Sequence, residues 1–215
     1  RKLTSHEPVI GIMGKSGAGK SSLCNALFQG EVTPVSDVHA GTREVRRFRL
    51  SGHGHSMVIT DLPGVGESRD RDAEYEALYR DILPELDLVL WLIKADDRAL
   101  SVDEYFWRHI LHRGHQQVLF VVTQADKTEP CHEWDMAGIK PSPAQAQNIR
   151  EKMEAVFRLF RPVHPVVAVS ARTGWELDTL VSALMTALPD HAASPLMTRL
   201  QDELRTESVR SQARE

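Results

Sequence analysis

Residues Gly14-Lys15-Ser16-Gly17-Ala18-Gly19-Lys20-Ser21 match the pattern G-x-x-x-x-G-K-[ST] in full, and each residue type in it has a chemical task. The glycines let the backbone curl until successive N–H groups point at one anion. Lys20 sets a positive charge against terminal phosphates, and the Ser21 hydroxyl is a ligand for Mg²⁺. The helix that opens through Ser22 turns the positive end of its dipole to the same place. Pro8 to Met13, just before the loop, is an apolar run of the kind a buried parallel strand needs, and Ser22 to Phe28 carries apolar residues at helical spacing. The chemistry this predicts is the binding of a nucleotide polyphosphate, with Gly14 through Ser22 as the phosphate-side contacts.

Such a loop does not choose between ATP and GTP; later segments do. Asp61-Leu62-Pro63-Gly64 follows a strand directly. An Asp there can hold a Mg²⁺-bound water, and the Gly64 amide can meet a γ-phosphate. Thr42 lies in the polar stretch between, where its hydroxyl would complete a Mg²⁺ shell with Ser21, phosphate oxygens and waters; Thr33 is the weaker alternative. Lys20, Thr42 and Gly64 are thus the candidate catalytic set, and Ser21, Thr42 and Asp61 the candidate metal set. Val118 to Val122 leads into Thr123-Gln124-Ala125-Asp126. A carboxylate at that strand end accepts from guanine N1–H and the exocyclic amino group, while adenine has no matching donors and would leave it unpaired. Val166 to Val169 leads into Ser170-Ala171-Arg172, where a backbone N–H can donate to guanine O6. Every one of these segments falls at the end of an expected strand, in the order of a single site.

The elements that must position them alternate in type. Strands are expected at Pro8–Met13, Glu44–Leu50, Met57–Asp61, Leu86–Ile93, Val118–Val122 and Val163–Val169, the second as an edge strand; Gly30 to Thr42 reads as a polar loop. Helices are expected over 71–82, 101–112, 143–160 and 177–188. This βα alternation implies an α/β fold with helices on both faces of the sheet. The 215 residues suffice for one sizeable core. A net charge of −4 gives the whole chain no electrostatic bias toward nucleic acid. Cys24 and Cys131 lie far apart and suggest no disulfide framework, which fits a reducing, cytoplasmic setting. No apolar run is long enough to cross a membrane, no signal peptide is visible, and with Arg1 at its head the sequence reads as an excised domain. The expected organisation is a flank over 1–7, the nucleotide domain over 8–190, and a charged, helix-prone extension or linker over 191–215.

On the motifs Gly14 to Ser21, Thr42, Asp61-Leu62-Pro63-Gly64, Thr123-Gln124-Ala125-Asp126 and Ser170-Ala171, the chain resembles the Era-like GTPases (the TrmE–Era–EngA branch) over about residues 8–188. The phrase Gly14 to Phe28 and the Thr-Gln-Ala-Asp variant look most like the YfjP/YeeP-type prophage GTPases. The resemblance implies a three-layer P-loop domain with a mostly parallel six-stranded sheet and one antiparallel edge strand. It also implies GTP/GDP with Mg²⁺ as cofactors, in-line attack of water on the γ-phosphate, and a switch that relaxes when Thr42 and Gly64 lose that phosphate.

Three departures from the family pattern matter. The base-reading motif is usually Asn-Lys-x-Asp, so Thr123 and Gln124 replace a loop-bracing Asn and a base-packing Lys. Gly17 stands where many Era-type domains place an Asn that helps hold K⁺, which argues against K⁺ stimulation. Val65 stands where other GTPases place a water-orienting Gln, which implies slow intrinsic hydrolysis unless a partner or a second copy completes the site. The Ser-Gly-Ala-Gly phrasing also resembles septin- and AIG-type GTPases, which pair through their nucleotide faces. The alternatives to a solitary switch are therefore a homodimerising assembly module, or a GTPase with an RNA, ribosome or protein effector.

The remaining clusters read as structural. Arg43, Arg46, Arg47 and Arg49 suit a charge-guarded edge strand better than a nucleic-acid surface. His53 and His55 lack further ligands at metal spacing, as do Cys131 and His132. Trp134 reads as an anchor for a surface loop, Trp91 as core, and Glu67 and Arg69 as solvated loop charges.

Overall fold

The computed structural model describes residues 7–15, 17–27, 31–41, 43–52, 55–63, 72–109, 111 and 117–189. Its elements are β1 (Val9–Gly14), α1 (Lys20–Leu27), β2 (Glu31–Ala40), β3 (Arg43–Gly52), β4 (His55–Asp61), α2 (Asp72–Ile82), β5 (Leu88–Lys94), α3 (Ser101–His109), β6 (Val118–Thr123), α4 (Pro143–Phe160), β7 (Val167–Ala168) and α5 (Leu177–Ala187). The strands form one seven-stranded sheet in the order β2-β3-β4-β1-β5-β6-β7. β4, β1, β5, β6 and β7 run parallel, and β3 runs against both of its neighbours.

Alternation along the central strands explains the layering. Ile10 and Ile12 of β1 and Leu88, Leu90 and Leu92 of β5 pack with Leu23 and Leu27 of α1 and Leu180, Val181 and Leu184 of α5. Met13, Val89, Trp91 and Ile93 point the other way, onto Leu78 of α2, Phe106 of α3 and Phe160 of α4. Buried on both faces, such strands read as continuous apolar runs. Trp91 is fully buried, as its place in an apolar run predicts. It stacks on Phe120 with ring centroids 5.1 Å apart and meets Phe106 and Trp107 edge-on.

The sequence expectation of six strands with one antiparallel edge strand is corrected to seven, because residues 31–40 form a strand rather than a loop. Residues expected to break regularity sit where a strand tolerates them. Pro34 lies on the outermost strand, where a missing N–H costs no ladder bond to a further neighbour. Asp37 lies in a register shift between Val35 and Val38, a bulge in the pairing with β3. β3 is therefore an interior strand. Its arginines are held locally: Arg47 donates to the Ser36 carbonyl at 3.0 and 2.8 Å, and Arg49 forms a two-pronged pair with Glu7 at 2.6 and 3.0 Å. At the other sheet edge, β7 is shorter than expected, with Pro165 just ahead of it. α4 begins with a full capping box between Ser142 and Gln145, with Pro143 in its first turn.

Candidate nucleotide-binding site

The parallel strands deliver the predicted residues to their C-terminal ends, where open α/β sheets bind ligands. Between β1 and α1 the loop turns through Gly17 and Gly19, at φ +84° and +86°. That left-handed region penalises a side chain and lets the loop curl back on itself, with Ala18 N donating to the Lys15 carbonyl at 3.0 Å. From the first turn of α1, Lys20 Nζ reaches Asp61 Oδ1 at 2.7 Å, with the Asp61 side chain 42% exposed. The phosphate-loop lysine and the acid at the end of β4 thus face the same opening. Ser21 and Ser22 are exposed at the start of α1. Ser16, Thr42, Gly64, Val65, Glu67, Arg69 and His53 lie outside the described residues. The neighbours of Thr42 rest on α2: Gly41 N donates to Asp81 Oδ2 and Arg43 Nε to Glu74 Oε1, each at 2.9 Å. Thr33, the alternative to Thr42, pairs with Arg49 in the middle of the β2–β3 ladder and not at the site.

On the base side, the replacements at 123 and 124 carry out the bracing that the sequence suggests is lost. Thr123 Oγ1 donates to the Ala18 carbonyl at 2.7 Å, a buried bond, and Gln124 Nε2 donates to the Gly17 carbonyl at 2.8 Å. Gln124 takes a left-handed conformation, φ 57° and ψ 43°, to turn the chain from β6 into a 3₁₀ turn over Ala125–Lys127. Ala125 N then bonds to Val169 O at 3.0 Å, locking this turn to the end of β7. Asp126 is 5% exposed. It accepts from Ser170 Oγ at 2.8 Å through Oδ1 and from Arg172 Nε at 2.9 Å through Oδ2. Each carboxylate oxygen keeps a further lone pair for a base edge. Ser170 Oγ also accepts from Thr173 N at 3.2 Å, which tightens the turn holding Ala171 and Arg172.

Lys15 is directed elsewhere than the phosphates. Its Nζ lies 2.9 Å from Asp97 Oδ2 and 3.0 Å from Asp103 Oδ2, and donates to the Ala99 carbonyl at 2.6 Å. Asp103 itself accepts from Trp91 Nε1 at 3.1 Å. This clamp ties the phosphate loop to the β5–α3 connection and to α3, and sequence reasoning missed it. Desolvation favours a neutral Lys15, but the bonds and charges of Asp97 and Asp103 outweigh it and raise its pKa above the ordinary value. Desolvation also opposes the ionised Asp97, yet Lys15 and the Ala99 amide hold it below the usual carboxylate range. For Asp103 desolvation wins, and its pKa is raised. Lys152 of α4, whose Nζ donates to the Asp97 carbonyl, is lowered by burial.

Other expected features stand as follows. Burial, together with Asp61, pushes the Cys24 thiol up to about 11, as befits a small apolar residue of the core. Trp134 is 8% exposed and packs edge-on against Trp175 at 5.7 Å, anchoring the loop before α4. Among the described residues no cluster of His, Cys, Asp and Glu could hold a metal by itself, and no helix is long and apolar enough to cross a membrane.

Comparison with known proteins agrees with this geometry. The family model described as "50S ribosome-binding GTPase" matches residues 9–124. The chain is 54% identical over 215 residues to the Escherichia coli (strain K12) protein YfjP, covering all of this chain and 74% of that protein. It is 32% identical over 192 residues to a "Probable GTP-binding protein EngB" of Gemmatimonas aurantiaca, covering 85% of each. It spans 58% of another relative, Escherichia coli (strain K12) YeeP, to which it is 97% identical over 137 residues. Among solved structures, a point variant of Aquifex aeolicus Era bound to GDP·AlF4⁻ shares the fold, with a TM-score of 0.60 at 23% identity, over 86% of this chain and 57% of that one.

Proposed function

Because this chain belongs to the GTPase family whose model is described as "50S ribosome-binding GTPase", we propose that its site binds GTP and GDP with Mg²⁺, hydrolyses GTP slowly, and acts as a nucleotide-dependent switch. The observation that carries the proposal is the pair of bonds from Thr123 and Gln124 to the Ala18 and Gly17 carbonyls. They join the base-reading turn to the phosphate loop in one frame, with the Asp126 carboxylate buried at its far end. Guanine would place its N1–H and amino group against Asp126, and the amides after Ser170 would meet O6. Adenine would offer no donor to the lone pairs that Ser170 and Arg172 leave on Asp126, a penalty of about 1–3 kcal/mol.

The donor chemistry fits Mg²⁺. Ser21 and Asp61 offer hard oxygens, and Lys20, 2.7 Å from Asp61, marks the spot where a cation is already favoured. When bound there, Mg²⁺ neutralises charge on the phosphate oxygens. Lys20 exchanges Asp61 for phosphate oxygens and offsets the charge that develops on them during water attack. The loop amides of Gly17, Gly19 and Lys20 orient the phosphates. Thr42 and Gly64, on the two segments flanking β3 and β4, contact the γ-phosphate side and release when it leaves. Val65 has no hydrogen-bonding group with which to orient water, so the intrinsic rate is low.

Lys20→Ala tests the assignment. Removing the loop's cation abolishes binding of fluorescent GDP and GTP and halts phosphate release in Mg²⁺. Unchanged affinity in a variant that unfolds cooperatively at its normal temperature would place the phosphates elsewhere.

A further inference from the structure

Among the described residues, the sheet is covered by helices on both faces but left open along β7. There the space between α4 and α5 is an apolar groove of about 470 Å³, whose lining includes Met153, Val166, Ala168, Trp175 and Ala183. It continues over α4 into a second hollow of about 570 Å³ bordered by Phe157 and Val163. Those two side chains are 43% and 84% exposed. A continuous apolar strip of this kind, beside an edge strand, marks a surface that another segment covers.

We infer that the groove is the seat of the chain's own residues 194–205, which dock as an amphipathic helix along α5 and over the edge of β7. This rests on the position of the described chain and on the sequence beyond it. The last described residue, Pro189, lies just past α5 (Leu177–Ala187), the helix whose Thr179 to Thr186 side forms one wall of the groove. Beyond it stand 26 residues, 190–215. Ser194-Pro195 repeats the Ser142-Pro143 pair that opens α4, a cap residue followed by proline in the first turn. After it, Leu196, Met197, Leu200 and Leu204 share one arc of a helix, roughly 100° wide. From Leu196 to Leu204 that stripe is about 12 Å long, and the α5 wall from Thr179 to Thr186 about 10 Å, at about 1.5 Å per residue. Residues 190–194 can reach at most about 17 Å, enough to reverse direction and lay the helix back along α5. Arg199, Asp202 and Arg205 fall on the opposite side of that helix, facing water.

A cysteine pair in the whole chain tests this. In a Cys131→Ser background, Ala183→Cys and Leu200→Cys should form an intramolecular disulfide under mild oxidation at dilute protein, visible as a monomer of altered mobility. A disulfide-linked dimer would assign the groove to a second copy and overturn the inference, as would no cross-link at all. Leu200→Asp/Leu204→Asp, which touches only the segment, should uncover the groove and raise fluorescence of a hydrophobic dye by about threefold. Unaltered dye binding in a variant that still unfolds cooperatively would equally refute it.

Discussion

Replacing Lys15 by Met should destabilise the fold without touching the phosphate-facing amides. Lys15 Nζ stands 2.9 Å from Asp97 and 3.0 Å from Asp103. At an effective dielectric near 20 each contact is worth roughly 5 kcal/mol of Coulomb energy before desolvation is subtracted. Removing one partner of a buried pair costs about 3–5 kcal/mol, because the other charge stays behind. Here Asp103 is 2% exposed while Lys15 and Asp97 retain 23% and 19%. Solvent screening therefore brings the expected loss to about 2–4 kcal/mol. For a chain of this size that lowers the thermal midpoint by roughly 4–16 °C. Differential scanning of wild type and Lys15→Met measures it. Adding Asp103→Asn should restore part of the loss, since the stranded carboxylate then becomes neutral while still accepting from Trp91. The pH dependence has a definite sign. Lys15 has a folded pKa raised above 10.5, so its contribution is complete below the unfolded value and vanishes as pH climbs through the folded one. Asp97 is depressed below 3.8, so its contribution is present above that value and vanishes as pH falls through the folded one. The pKa of Asp103 is raised above the usual carboxylate range and rises further once Lys15 is gone, so as pH falls the variant protonates it first and the gap between wild type and variant narrows from there down. On the alkaline side the gap holds up to the unfolded Lys15 value and then narrows. A midpoint change smaller than about 2 °C, or a gap that stays the same at both pH extremes, would refute the clamp.

Two further outcomes follow from other contacts. Thr123→Val keeps the side chain's shape but leaves the Ala18 carbonyl without its buried donor, at about 1–3 kcal/mol; part of this appears as GDP affinity reduced by about fivefold or more in a fluorescence titration. With its thiol at about 11, Cys24 should resist thiol reagents at neutral pH while the exposed Cys131 reacts promptly, so titration of the folded protein yields one fast equivalent and a second only on unfolding.

The placement of the phosphate loop, Asp61, Asp126 and Ser170 at the ends of the parallel strands was legible because each depends on local signals: a spacing of glycines, or a polar residue closing an apolar run. The same holds for β5, β6 and α4, which are long and unambiguous in period or capping. β2 was not legible, since only Ala40 of its described side chains is buried and a polar outer strand lacks the apolar alternation that marks a half-buried one. The Lys15 clamp joins residues 82 and 88 positions apart, a pairing that only the parallel placement of β1 beside β5 creates. The paired acids Asp97 and Asp103 after an apolar strand were its one visible trace. The brace by Thr123 and Gln124 is hidden from the family motif because a motif describes residue types, whereas the structure requires only a donor within reach of two loop carbonyls.

In the proposed function Asp126 reads guanine within a frame fixed to the phosphate loop. Competition of GDP, XDP and ADP against a fluorescent guanine nucleotide, in wild type and in Asp126→Asn, separates base recognition from phosphate binding. Wild type should prefer GDP, and the variant should lose at least about tenfold, 1.4 kcal/mol, in GDP affinity while gaining for XDP, whose acceptor replaces the amino donor. Equal binding of ADP by wild type, or a variant with unaltered base preference, would contradict the account.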